Sequence, residues 1–239
     1  MDLEVFRRKL EAAEYFSSIL ASRIPKSICK IYLFGSVAKK TFSMWSDIDL
    51  LIVLDKLSEE NLDIVAEAAF EAAMKTGEPI ETVTMSILEF HSKAPTPFLH
   101  EVLNYGVKLY DRGEAPAINS LLHLADEYYS YALDAFKEGK YRLTADTGYN
   151  AAELIVKALI ILKNQPLAPS HEGIIQQFGR LYVTTGIVDK DIGRKLYRAL
   201  DLRNKARYDA TYIVNEEEAS MTFKLVEKLK DIAKTVIKY

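Results

Sequence analysis

The stretch Ile31-Tyr32-Leu33-Phe34-Gly35-Ser36, the loop Val37 to Ser46, and then Asp47-Ile48-Asp49-Leu50-Leu51-Ile52-Val53-Leu54 decides the reading of this chain. A short apolar run ends in Gly-Ser, ten residues intervene, and a second apolar run opens on two carboxylates. The pattern is strand, tight turn, loop, strand. Side chains alternate faces along a strand, so Asp47 and Asp49 point the same way. Their Cα atoms lie roughly 6–7 Å apart, two rises of about 3.3 Å. Two carboxylates can close that gap on a hard cation such as Mg²⁺, with bonds of about 2.1 Å. Gly35 lets the backbone approach a ligand closely. Ser36 adds a hydroxyl and an N–H able to hold phosphate oxygens.

This stretch resembles the nucleotidyltransferase superfamily, in particular the minimal nucleotidyltransferases. Their signature is Gly-Ser, a ten-residue spacer, and Asp-x-Asp within Ser-Asp-Ile-Asp-Leu. Gly35, Ser36, Ala38, Ser46, Asp47, Ile48, Asp49 and Leu50 fall in register with it. Lys40 departs: it stands where the family commonly has a glycine and adds a positive charge to the phosphate loop. The resemblance implies transfer of a nucleoside monophosphate from a triphosphate, expected to be ATP, to a hydroxyl-bearing acceptor that is a small molecule or a protein. Mg²⁺ or Mn²⁺ would be held by Asp47, Asp49 and a third acid, with Gly35, Ser36, Lys40 and Ser46 around the phosphates. The family places its third acid in the following strand. In Ile80-Glu81-Thr82-Val83-Thr84, Glu81 shares a face with Val83 and Met85, as a third ligand or general base should. Glu78 is its rival, though it precedes Pro79 in a turn. Trp45 and Tyr32 are candidates to stack on a base or, equally, to pack on the sheet. Lys39 and Lys40 either neutralise a triphosphate or are simply solvated.

The bulk properties agree with a globular protein. The chain has 239 residues, 49% hydrophobic and 27% charged, enough for one or two domains with a real core. No apolar run approaches the ~20 residues that cross a bilayer. Met1 to Arg8 places acids before bases and leads into no apolar h-region, so a cytoplasmic location is expected. The single Cys29 excludes an intramolecular disulfide. A net charge of −3 argues against a broad nucleic-acid surface.

Periodicity predicts an α/β (α+β) domain with a mixed sheet over residues 1–112 and an all-α antiparallel bundle over 113–239. In the first part, a helix carries Leu3, Phe6, Leu10, Ala13, Phe16 and Leu20. Strands are expected near 29–34, 48–54, 80–85 and 107–110. Ser58 should cap a helix whose buried face is Leu62, Val65, Ala69 and Ala73, ended by Gly77. Ser86 should cap a short helix broken by Pro95 and Pro97. Asp111 to Pro116 reads as the linker. Helices then follow over about 117–138, 141–164, 170–185, 189–212 and 216–238.

Tyr149-Asn150-Ala151-Ala152-Glu153, Pro169-Ser170-His171 and Leu202-Arg203-Asn204-Lys205-Ala206-Arg207-Tyr208 resemble the HEPN superfamily, helical domains often paired with minimal nucleotidyltransferases. Many HEPN proteins are ribonucleases with an Arg followed four to six residues later by a His. Arg203 would be that arginine, yet Tyr208 stands five residues on and no His follows. A nuclease-inactive domain is therefore expected, with Arg203 and Arg207 free to bind phosphate or to pair with Glu153. His171 would cap or pack. The alternative to a plain transferase is a nucleotide-binding regulatory protein of toxin–antitoxin type that modifies or binds a partner protein. Residues 151–162 are apolar nearly all round, which suggests a homodimer through the helical half.

Overall fold

The apolar run before Gly35 forms strand β1 (Ile28–Phe34), and the run after Asp47 forms β2 (Ile48–Leu54). The computed structural model describes residues 3–92 and 96–237; Pro95 lies outside them. The chain divides into two compact units, residues 1–116 and 117–239.

In the first unit, α1 (Leu3–Arg23) precedes β1, and a single helical turn, α2 (Gly35–Ala38), follows it. After β2 come α3 (Glu59–Thr76), β3 (Ile80–Ser86), α4 (Ile87–Ser92), α5 (Pro97–Tyr105) and β4 (Val107–Asp111). Among the described residues the strands make one mixed sheet in the order β3-β2-β1-β4, with β2 and β3 parallel and β1 antiparallel to both its neighbours. The Ser58 side chain accepts from the Asn61 amide at the start of α3, and Gly77 closes that helix with φ +71°. The Ser86 hydroxyl accepts from the Glu89 amide at the start of α4.

The two faces of the sheet differ. Ile48, Leu50, Ile52 and Leu54 join Ala12, Phe16 and Leu20 of α1 and Val65, Ala68 and Ala72 of α3 in one core. The odd-numbered residues of β2 therefore point the other way. Leu51 and Val53 on that side are buried, Phe90 of α4 stacks on Tyr32, and Phe98 of α5 meets Phe34 edge-on. Tyr32 is thus packed on the sheet, whereas Trp45 is 82% exposed. The buried face of α3 is Asn61, Val65, Ala68 and Ala72, one residue round from the expected one, and Leu62 is left 38% exposed. Asn61 turns inward because its amide donates to the Lys56 carbonyl, 3.3 Å away. Cys29 sits where the β1–β2 register shifts between Ile28 and Lys30. Burial, then the charge of Asp55, pushes its thiol up to about 12.

The stretch expected to be a linker is tied down. Lys30 is nearly buried on β1 and holds Asp111 and Glu114, each at 2.9 Å. The helix beyond, α6 (Ala115–Lys137), starts two residues before the expected position.

The second unit continues from α6 with α7 (Tyr141–Leu162), α8 (His171–Phe178) running into a π-helical turn at Gly179–Val183, α9 (Lys190–Tyr208) and α10 (Glu216–Val236). Nearly every residue from Ala151 to Ile161 is buried on α7, inside its own unit and against α8, α9 and α10. An uncovered α7 face therefore gives no reason for a dimer. A Cβ on Gly148 would lie 2.5 Å from Thr222 Oγ1, which marks how closely α7 meets α10. Helix α9 stops at Tyr208, earlier than expected, because the Asp209 carboxylate accepts from the amides of Thr211 and Tyr212. That local turn competes with a further helical turn. Among the described residues no helix is long and apolar enough to cross a membrane.

Candidate active site

The sheet places the acids by register. Asp49 pairs with Glu81 across the parallel strands β2 and β3. Cross-strand partners in register share a face, so the two carboxylates stand side by side on the side away from the main core. Asp47 precedes β2 and is exposed; Glu81 is exposed; Asp49 is half-buried. Burial raises the Asp49 carboxyl above its ordinary range, and the charges of Glu81, Asp47 and Glu101 raise it further. Glu101, on α5, carries no motif and gave no signal in the sequence. It also takes up Lys39, whose Nζ is 2.7 Å from its carboxylate.

Gly35 serves this site in an unexpected way. Its φ is +69°, and a Cβ there would fall 2.0 Å from Asp49 Oδ2. What comes close to the glycine backbone is the protein's own carboxylate. Phe34 pairs with Asp49 in the β1–β2 register, so the turn after β1 is delivered directly beside it. Ser36 lies in α2, and its carbonyl accepts from the Thr41 amide at 3.0 Å, which closes the turn. Lys40 has φ +60°, the left-handed region where glycine is at ease. Its ammonium lies over the Phe6 ring, 5.6 Å from the centroid. The Ser46 hydroxyl accepts from the Ser43 amide at 2.9 Å, so it is engaged in shaping the loop.

Glu78 is separate from this cluster. It is buried and held by Lys9 and Arg8. Lys9 itself is fully buried; a lysine in an amphipathic helix ordinarily reads as solvated, so its burial was not legible in the sequence.

The exposed acids suit a hard divalent cation in donor type and in their placement on adjacent strand starts. Among the described residues no three His, Cys, Asp or Glu side chains already converge on a metal position. Repulsion among the carboxylates adds to burial in raising Asp49.

In the helical unit, Arg203 is buried and faces Asp146, with Nε 3.3 Å from Oδ1; Arg207 reaches the same oxygen at 3.8 Å. The expected pairing of these arginines with Glu153 does not occur. Buried Glu153 is taken by Lys157 at 2.6 Å, the Tyr149 hydroxyl at 2.7 Å and His171. Despite burial, those partners lower its carboxyl. Ser170, not His171, caps α8. Tyr208 is 74% exposed, with the Arg203 guanidinium 5.9 Å from its ring centroid.

The family model "Polymerase beta, Nucleotidyltransferase" matches residues 17–115, and the model "HEPN domain" matches residues 118–236. The curated protein "Putative toxin MJ0605" of Methanocaldococcus jannaschii is 31% identical over 124 residues, 50% of this chain and 91% of that protein. From the same organism, "Putative protein adenylyltransferase MJ0604" is 34% identical over 100 residues, 42% of this chain and 96% of that protein. The chain belongs to the nucleotidyltransferase family, joined to a HEPN domain. It is a nucleotidyltransferase enzyme. A solved spectinomycin adenyltransferase, AAD(9) from Enterococcus faecialis, is 13% identical and covers 92% of this nucleotidyltransferase and 99% of its own chain, at a TM-score of 0.34.

Proposed function

We propose that this nucleotidyltransferase transfers AMP from ATP to a hydroxyl of a protein acceptor. The observation that carries the reading is the parallel register of Asp49 with Glu81, on one face, beside the Gly35 turn. A relative named as a protein adenylyltransferase supports the nucleotide and the acceptor class. Asp47 and Asp49 would hold Mg²⁺ or Mn²⁺, and Glu81 would complete the site. When bound, the cation supplies positive charge against the triphosphate and the leaving group. Gly35 and Ser36 sit where the phosphates would be received, with Lys40 near the end of that turn; Ser46 shapes the loop. The acceptor oxygen bonds to the α-phosphorus, the bond to the β-phosphate oxygen breaks, and pyrophosphate leaves. The acceptor proton passes to Glu81 or to solvent.

A second reading gives the helical half a regulatory role in a toxin–antitoxin pair, without nuclease chemistry. It is favoured by the relative named as a toxin and by Tyr208 in place of a histidine. The test of the first reading uses labelled ATP with Mg²⁺ and the purified chain plus candidate protein acceptors. Label should move to protein, and Asp47→Asn or Asp49→Asn should reduce transfer by about 10³-fold or more. Full activity in either variant would refute the assignment.

A further inference from the structure

Lys9 is a fully buried lysine on α1, and a buried ammonium persists only with close partners. It has two. Its Nζ is 2.6 Å from Glu78 Oε2 and 2.7 Å from the carbonyl oxygen of Ser46. Ser46 immediately precedes Asp47, and Glu78 lies three residues before Glu81. One ammonium thus spans the two segments that lead into β2 and β3. Those segments meet again two residues on, where the Ile48 amide donates to the Pro79 carbonyl at 2.9 Å. Arg8 steadies the other oxygen of Glu78 from the solvent side.

We propose that Lys9 is a positioning residue that fixes the entry of β2 against the entry of β3, and so sets the spacing of Asp47 and Asp49 from Glu81. This rests on reading those acids as the metal-binding set. Apolar side chains fill such buried positions at no greater cost, so stability alone does not call for this ion pair. The second partner of Lys9 is a carbonyl of the loop that carries the acids. The tie holds the acids close although their charges push them apart.

Lys9→Met leaves buried Glu78 with Arg8 as its one charged partner, so a second variant, Lys9→Met/Glu78→Gln, removes both charges of the buried pair. Each is compared with the wild type by thermal melting, by Mn²⁺ titration followed by electron paramagnetic resonance, and by amide hydrogen exchange. The single variant should melt lower. The double variant should regain most of that loss yet bind Mn²⁺ about tenfold more weakly. Its Ile48 amide should exchange about tenfold faster while Ile31 and Leu33 in the middle of β1 stay protected. A double variant with wild-type Mn²⁺ affinity and wild-type Ile48 protection would overturn the proposal, leaving only a structural ion pair. Wild-type protein that binds no Mn²⁺ and transfers no AMP would instead remove the functional reading, and Ile48 exchange would still judge whether Lys9 ties the strands.

Discussion

Asp49 carries its negative charge against burial and against three other carboxylates. Its carboxyl therefore binds a proton more readily in the folded chain than in the unfolded one. Stability from this group is present below the unfolded value of 3.8 and falls as pH rises through the raised folded value. Asp49→Asn should accordingly melt higher than wild type at neutral pH without metal, and the difference should vanish below about pH 4. Differential scanning calorimetry across that range checks it; an Asn variant that melts lower at pH 7 would mean that Asp49 is held by an attraction not seen here. Gly35 lies against the same carboxylate. Gly35→Val adds a side chain in the left-handed region and drives Asp49 from its place, for a loss of about 3 kcal/mol. Denaturant titration reads the loss, which should exceed that of Gly77→Val, where a Cβ meets nothing within 4 Å. The strands that bring Asp49 beside Glu81 were legible, because Gly-Ser and Asp-x-Asp are local patterns at a fixed spacing. Glu101 and Lys9 were not: each is placed by tertiary packing, on a helix whose sequence says only that it is amphipathic.

At the level of elements, the joint between β4 and α6 rests on charges. Lys30 bridges Asp111 and Glu114, Lys108 reaches the other oxygen of Asp111 at 2.7 Å, and His91 pairs with Glu114 at 2.6 Å. Burial would raise the Asp111 carboxyl, but hydrogen bonds from Lys108, Lys30 and the Gly113 amide outweigh it and bring it to about 2. This contribution is present above the unfolded value of 3.8 and is lost as pH falls through about 2. Lys30→Met leaves Asp111 to Lys108 and Glu114 to His91, and losing the buried cation between them should cost about 3 kcal/mol at neutral pH. The gap to wild type should narrow as the pH falls from about 4 to 2, followed by circular dichroism melts; an equal gap at both ends would mean that lost packing, not charge, is responsible. Composition marked this stretch as the linker but not what anchors it: the lysine that does so lies some eighty positions earlier. The one-residue rotation of α3 has the same origin: Leu62 is the more apolar residue, but Asn61 has a carbonyl to meet inside.

For the molecule as a whole, the order of its two halves was readable from two resemblances that support each other. Helix limits were less so, since α9 ends on an Asp209 turn and α8 slides into a π-helical turn. The missing histidine has a direct consequence. Arg203 is committed to Asp146, and the position an imidazole would take is filled by exposed Tyr208. Purified protein should leave single-stranded RNA uncut, with or without a chelator, on a denaturing gel. Cleavage that disappears in Arg203→Ala would contradict the assignment. Sedimentation at micromolar concentration addresses association, for which α7, covered within its own unit, offers no surface.

Cys29 lends the molecule one practical property. It is the sole thiol in the sequence, and it is both buried and hard to ionise. It is the thiolate that attacks a maleimide, so the native chain should stay unlabelled until it opens. A cysteine introduced at exposed Trp45 would then be the only reactive one, and a dye attached there could report triphosphate arrival beside Asp47 with no background site to remove.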